Sequence, residues 1–287
     1  MHSAVGAGRR APVAAKVPEI TFLFWVIKLL TTAGGEAISD YLALKGYVLT
    51  GVIEVCIFVV AVWIQFRTRR YVAAAYWFLA LAIAIFGTGA ADAMHLVVGI
   101  PYAGTTALWA AALAVIFWLW YRSERTLSIH SITTTRRELY YWATVFATFA
   151  LGTALGDFTA HVLNLGYLGS AVLFAVVIMV PAVAWRLGAN SVLAFWAAYV
   201  VTRPLGASFA DYVSKSHALS GLNYGDGPVA GLLLVLIALL VGYTAIARYD
   251  IQRPARAAAP GGTGPGAVQP DAPGQGPGPR YARDPRY

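Results

Sequence analysis

The chain has 287 residues, of which 59% are hydrophobic and only 12% are charged. This charged share is about half that of an ordinary soluble domain, so a water-soluble fold would lack the polar surface to cover itself. Composition therefore excludes a soluble enzyme and a disordered chain. A disulfide-stapled domain and a thiolate zinc site are excluded because Cys56 is the single cysteine. The net charge of +8 does not indicate nucleic acid, because the basic residues flank apolar stretches.

Eight apolar stretches follow one another along the chain, each near the length of ~20 helical residues that crosses a bilayer. They cover residues 20–43, 47–66, 72–98, 104–121, 139–163, 168–186, 191–213 and 228–247. They do not alternate between apolar and polar residues as the strands of a membrane barrel do. The sequence therefore predicts an all-α polytopic bundle of eight transmembrane helices in contact with the lipid bilayer, with no cofactor.

Arginine is concentrated after the even-numbered stretches. These positions are Arg67, Arg69, Arg70, Arg122, Arg125, Arg136, Arg137, Arg186, Arg248, Arg253 and Arg256. The loops at the other end hold only Lys45 and Lys215. Because basic loops stay inside, both termini are predicted to be cytoplasmic. Residues 1–18 form the N-terminal segment, and the Pro/Gly-rich residues 251–287 are predicted to be a disordered cytoplasmic tail.

The odd-numbered stretches share an internal repeat, which is the most informative pattern in the chain. An aromatic–Trp pair is followed ten residues after the Trp by Gly and fifteen after it by Asp. The copies are Phe24, Trp25, Gly35, Asp40; Tyr76, Trp77, Gly87, Asp92; Tyr141, Trp142, Gly152, Asp157; and Phe195, Trp196, Gly206, Asp211. Each copy holds two spans, so all four copies enter the membrane from the same side. The repeats are therefore parallel and related by an axis along the membrane normal. The predicted repeats are 19–70, 71–138, 139–190 and 191–250.

The strings GEAISD, GTGAAD, GTALGDFTAH and GASFAD, each behind an aromatic–Trp pair, resemble a bacterial family. Its members are uncharacterised membrane-anchored proteins built from four tandem two-helix repeats of unknown function. The resemblance covers nearly all of residues 17–250 and implies an eight-span protein of the bacterial inner membrane. It brings no established activity and no catalytic residues. The fourth copy departs most, because Arg203 and Pro204 interrupt it.

The repeated tryptophans and glycines have structural interpretations. Trp25, Trp77, Trp142 and Trp196 are predicted to anchor the helices at the membrane interface. Gly35, Gly87, Gly152 and Gly206 are predicted to allow close contact between helices, as small residues do in bilayers.

The repeated aspartates carry the functional hypothesis. A carboxylate at membrane depth costs about 2.5–3.5 kcal/mol, so these groups must face a polar interior, hold a cation or be protonated. Glu36 lies four residues before Asp40, while His95 and His161 follow Asp92 and Asp157 at spacings suited to metal ligation or proton relay. The candidate ion or proton site is Asp40, Asp92, Asp157, Asp211, Glu36, Glu54, His95 and His161, and the metal is left open.

Two basic residues lie inside the spans, on the cytoplasmic side of these acids. Arg203 is predicted to pair with an acid or to gate a path, and Lys28 either shares that role or extends its amine to the interface. Both are therefore candidates for a gating or charge-pairing function.

The amino-acid sequence is compatible with two functions. The first is a transporter for a small cation, such as a divalent metal, with proton coupling as an option. The alternative is a non-transporting scaffold or accessory protein, whose repeated aspartates are structural staples that accept hydrogen bonds from the N–H groups of the next helix. No HExxH, GxSxG or phosphate-loop motif is present, so no enzymatic activity is expected. The oligomeric state is left open.

Overall fold

A computed structural model describes residues 15–252, and within this range the chain contains helices and no strands. The helices are α1 (Phe22–Ala43), α2 (Tyr47–Arg67), α3 (Ala73–Asp92), α4 (Tyr102–Glu124), α5 (Thr135–Asp157), α6 (Gly166–Val177), α7 (Met179–Arg186), α8 (Ser191–Ser214) and α9 (Asp226–Ala247). Short π-helical turns, Ala93–Val97 and Phe158–Val162, extend α3 and α5. The predicted disordered tail lies, from residue 253 onward, outside the described residues.

Eight helical segments among the described residues are long and apolar enough to cross a membrane. Helices α6 and α7 together form the sixth of these, Gly166–Arg186. The helix is interrupted at Ile178, close to Pro181, which has no N–H to donate to the carbonyl of Val177. The predicted all-helical bundle of eight candidate spans is confirmed.

The first span of each repeat lies inside the bundle, and the second lies outside. Between 44% and 72% of α1, α3, α5 and α8 is buried, against 17% to 28% of the other four spans. The inner helices pack in a closed ring, α1 on α3, α3 on α5, α5 on α8 and α8 on α1. The four parallel repeats therefore surround one central axis.

The outer helices connect neighbouring repeats. Helix α2 packs chiefly on α3, α4 on α5, α6 on α8, and α9 returns to pack on α1. Each outer helix thus covers the inner helix of the next repeat more extensively than that of its own. This arrangement ties the fourth repeat to the first and closes the ring.

The repeated glycines lie where successive inner helices approach most closely. A Cβ atom added to each would overlap the next helix, with contacts Gly35–Ala84, Gly87–Phe149, Gly152–Arg203 and Gly206–Thr32. In every pair the contacted residue precedes the glycine of its own repeat by three positions. Glycine removes the side chain that would separate the helices, so the same contact recurs around the ring.

The end of the bundle that carries Arg67, Arg122, Arg186 and Arg248 is called the basic end. Here the repeated tryptophans differ from the prediction. Trp77, Trp142 and Trp196 are buried inside the protein, and only Trp25 is partly exposed. They pack edge-to-face with the aromatic residues of the repeat, as Tyr76 does on Trp77. The prediction of interfacial anchors is therefore wrong for three of the four, because these rings fill the space between the inner helices.

The basic end is also covered by the chain on either side of the bundle. Lys16 donates to Glu138 at 2.7 Å, and Gln65 donates to the other oxygen of this carboxylate at 2.9 Å. Tyr71 donates to Asp250 at 2.6 Å. These bonds tie the segments before α1 and after α9 to the bundle. The opposite end, called the acidic end, carries the four repeated aspartates.

Candidate functional site

A buried ion pair occupies the centre of the bundle. The Nη2 atom of Arg203 donates to Glu36 Oε2 at 2.6 Å, and both side chains are almost fully excluded from solvent. Arg203 also donates to the hydroxyls of Thr88 and Thr153, and both hydroxyls donate to the same oxygen of Glu36. Four inner helices therefore contribute one residue each to this cluster, which we call the central ion pair.

The repeat explains why these residues meet. Glu36, Thr88 and Thr153 each follow the repeated glycine of their own inner helix directly, so a symmetric ring directs all three toward the axis. Sequence reasoning missed the two threonines because it searched for charged residues and imidazoles. Their equivalence to Glu36 in the repeat was the available signal.

The repeated aspartates lie one helical turn nearer the acidic end. Each follows the position of Glu36, Thr88, Thr153 or Ala207 by four residues, which is about 6 Å along a helix. One oxygen each from Glu36, Asp40 and Asp211 lies within 4.8 Å of the other two. Carboxylates from the first and fourth repeats therefore meet beside the central ion pair.

A cavity of about 270 Å³ opens beside this group, between α1, α2 and α3. Asp40, Glu54 and Asp92 line it. Glu54 accepts a hydrogen bond from Ser39 at 2.7 Å, and its carboxylate fits against Gly89, where a Cβ atom would collide with it. The structure thus brings Glu54 of the second span to the level of the repeated aspartates.

The remaining aspartate completes the group. Asp157 occupies the position in its repeat that Asp40, Asp92 and Asp211 occupy in theirs, so the ring of inner helices places it at the same level along the axis. We call this set the acidic chamber; its members are Glu36, Asp40, Glu54, Asp92, Asp157 and Asp211. Because all four repeats contribute to it, no single two-helix unit can form it.

Lys215 is the fixed cation at the rim of the chamber. It donates to Asp40 at 2.7 Å and to Asp226 at 3.1 Å. Burial lowers the pKa of Lys215, but the carboxylates of Asp40 and Asp211 outweigh this effect, and the net pKa lies above its ordinary value. Lys215 therefore stays protonated. Sequence reasoning treated it as a loop residue, because its partner Asp40 lies 175 positions away in the chain.

Three aspartates of the chamber have no partner among the described residues. The carboxylates of Asp92, Asp157 and Asp211 accept no hydrogen bond there and form no ion pair. None of the four repeated aspartates caps the following helix, since α2, α4, α6 and α9 all begin without a side-chain cap. The hypothesis that these residues are staples of their own hairpins is therefore wrong.

The two histidines do not join the acids. His95 and His161 lie in the π-helical turns, whose wider winding changes their angular spacing from the preceding aspartates. His95 bonds to the carbonyl of Ile100 at 2.8 Å and stacks on Tyr102, while His161 lies 3.3 Å from the hydroxyl of Tyr167. The prediction of Asp–His ligand pairs assumed α-helical spacing and is wrong for both.

Lys28 lies eight residues before Glu36 on α1, which is about two helical turns toward the basic end. Its side chain is buried, with its Nζ atom 4.1 Å from the ring centre of Phe149 and 4.0 Å from that of Tyr199. This amine has no hydrogen-bond partner among the described residues. It does not extend to the interface and does not pair with an acid, so of the two predicted basic residues only Arg203 forms an ion pair.

The chain was compared with known proteins. The model of the Repeat of Unknown Function (DUF347) matches it four times, over residues 23–71, 75–126, 140–188 and 194–249. These matches cover most of the chain, so the suspected relationship to a tandem-repeat family is confirmed. No curated protein and no solved structure matches the chain.

Proposed function

We propose that this chain, which belongs to the DUF347 repeat family, is a membrane transporter for a small cation that binds in the acidic chamber. One observation carries the proposal. Carboxylates of different repeats converge inside the bundle, where Glu36, Asp40 and Asp211 come within 4.8 Å of one another. Among the described residues, only Arg203 and Lys215 supply positive charge to this group through ion pairs.

The acidic chamber contains more carboxylates than the two cations Arg203 and Lys215 can neutralise. An unpaired carboxylate at membrane depth costs about 2.5–3.5 kcal/mol, and Asp92, Asp157 and Asp211 are all unpaired there. Such a cost is retained where intramembrane charges serve an ion or proton pathway. A bound cation or a proton would offset it.

The central ion pair is the proposed barrier. A cation entering from the acidic end reaches Glu36, beyond which Arg203 blocks the axis with its positive charge. Neutralising Glu36 by a bound cation or a proton weakens its hold on Arg203. Once Arg203 is released, the ring of inner helices rearranges. Transport then proceeds because the chamber is exposed alternately to the two sides of the membrane.

The proposed location is the bacterial inner membrane, with the basic end and both termini in the cytoplasm. The excess of arginine in the loops at the basic end supports this orientation through the positive-inside rule. The chamber then opens toward the outside of the cell. The proposal assigns the chain no enzymatic activity, no cofactor and no nucleic-acid partner, and its lipid contacts are those of a multi-pass protein.

Cation flux into proteoliposomes tests the proposal. Purified protein is reconstituted, and uptake of protons, Na⁺, Mg²⁺, Mn²⁺ and Zn²⁺ is followed with and without a pH gradient. We expect at least one cation to be taken up and this uptake to be lost when Asp92→Asn and Asp157→Asn are combined. The matched control is Glu124→Gln, which neutralises an acid paired with Arg136 and Arg137 at the basic end.

Unchanged flux in the double variant would defeat the assignment of the chamber. Absence of flux for every cation would favour the second candidate function, a non-transporting membrane scaffold or accessory protein. The observation behind this alternative is the packed interior of the bundle, where Arg203 bonds to Glu36 and Tyr76 bonds to Tyr141. Because the helices that follow the repeated aspartates begin without a side-chain cap, the scaffold would need a reason other than helix capping to retain them.

A further inference from the structure

We propose that the ion held in the acidic chamber is a hard divalent cation of the Mg²⁺, Ca²⁺ or Mn²⁺ class, bound by Glu36, Asp40 and Asp211. This inference names the substrate class of the proposed transporter and rests on that function. It predicts that Zn²⁺ and Cu²⁺, which favour imidazole and thiolate ligands, are not the preferred ions.

The spacing of the three carboxylates fits such an ion. Hard divalent cations hold oxygen ligands at about 2.0–2.6 Å, so two oxygens on opposite sides of one ion are about 4–5 Å apart. The three candidate oxygens lie within 4.8 Å of one another. One ion can therefore reach all three carboxylates without a change in the backbone.

Each carboxylate also keeps an oxygen available. Arg203, Thr88 and Thr153 all bond to Oε2 of Glu36, while Lys215 bonds to Oδ2 of Asp40. Among the described residues no hydrogen bond reaches the second oxygen of either group. The fixed cations thus orient Glu36 and Asp40 and leave one oxygen of each free to bind an ion.

The burial of Asp211 without a partner distinguishes this group from a solvated cluster of acidic side chains. It is only 5% exposed, and its carboxylate has no hydrogen-bond or ion-pair partner among the described residues, although it lies within 4.8 Å of two other acids. A buried carboxylate is stabilised by a positive partner or by a proton. Arg203 and Lys215 make their ion pairs with Glu36 and Asp40, so a cation from solution is the partner that this inference assigns to Asp211.

The donor set determines the class of ion. All three ligands are carboxylate oxygens, which suit Mg²⁺, Ca²⁺ and Mn²⁺. The soft and intermediate donors are directed elsewhere, since His95 and His161 bond to Ile100 and Tyr167 and Cys56 is exposed on α2. Zn²⁺ and Cu²⁺ therefore find none of their favoured ligands in this group.

Direct binding to the purified full-length protein in detergent tests the inference. Free Mn²⁺ is measured by electron paramagnetic resonance during titration, and Mg²⁺, Ca²⁺ and Zn²⁺ then compete for the site. We expect a single Mn²⁺ per chain, displaced by Mg²⁺ or Ca²⁺, with an affinity that Asp211→Asn lowers by about tenfold or more. Asp40→Asn serves as the second site variant if Asp211→Asn is not monodisperse.

Two controls sharpen the result. Glu124→Gln, at the basic end, and His95→Gln with His161→Gln should leave the Mn²⁺ affinity unchanged. Preferred binding of Zn²⁺ that depends on the histidines, or the absence of divalent binding, would overturn the inference. Proton or Na⁺ flux without Mn²⁺ binding defeats this inference alone, whereas Mn²⁺ binding without flux of any cation defeats only the transport function.

Discussion

The two halves of the bundle axis are built from the same four inner helices and differ in the side chains that line them. In the basic half, Tyr76 bonds to Tyr141, Trp196 donates to Leu127, and rings fill the space between the helices. In the acidic half, three carboxylates have no partner among the described residues. Aromatic packing therefore dominates the basic half, where several ring N–H and hydroxyl groups have no partner among the described residues, whereas unpaired carboxylates distinguish the acidic half.

The largest expected effect comes from breaking the central ion pair, which lies between the two halves. Arg203→Gln leaves the buried carboxylate of Glu36 without a countercharge, and we expect a loss of about 3–5 kcal/mol in the free energy of unfolding in detergent. Combining Glu36→Gln with Arg203→Met removes both charges and should recover most of this loss. A loss of only about 0–1 kcal/mol, as for an exposed pair, would contradict the buried arrangement.

A smaller effect is expected at the glycine contacts of the ring. In Gly35→Ala, the new methyl group would overlap the side chain of Ala84 and lie 2.9 Å from its carbonyl carbon, so we expect destabilisation of about 1–3 kcal/mol. Gly231→Ala in α9 is the matched control, because nothing lies within 4 Å of its Cβ position. This control should gain up to about 1 kcal/mol from helix propensity. Equal effects at both positions would argue against the close ring.

Lys28 places a charged amine among the aromatic rings of the basic half, and its replacement tests how that half tolerates a buried charge. Its buried amine has no hydrogen-bond partner among the described residues, so Lys28→Met should raise the free energy of unfolding by about 1–3 kcal/mol. Lys45→Met, at a loop lysine whose amine lies 5.2 Å from the centre of the Tyr41 ring, should change the free energy of unfolding little. Destabilisation by Lys28→Met would mean that the contacts with Phe149 and Tyr199 outweigh the missing hydrogen bonds.

The smallest effect on stability is expected in the acidic half. Asp92→Asn combined with Asp157→Asn removes two charges that have no described partner, so the thermal midpoint should stay constant or rise slightly in the absence of added cations. A fall as large as that of Arg203→Gln would show that both carboxylates are bonded within the protein and would remove the contrast between the halves.

Much of the fold could be predicted from the sequence, because span length and the spacing of Trp, Gly and Asp report directly on helices and repeats. The same spacing correctly directed Glu36 and Asp40 to one face of α1. It failed for His95 and His161, because a π-helical turn changes the angle between residues and leaves no clear trace in the sequence. It also missed Lys215, whose partner Asp40 becomes a neighbour only when the fourth repeat closes on the first.

Crystals grown with Mn²⁺ would test the central claim most directly, through the anomalous scattering of the ion. The account predicts one strong peak bordered by Glu36, Asp40 and Asp211, and no such peak in crystals of Asp211→Asn. The contrary result would be a map without that peak, in which each repeated aspartate bonds to its own hairpin or the ion lies beside His95 and His161.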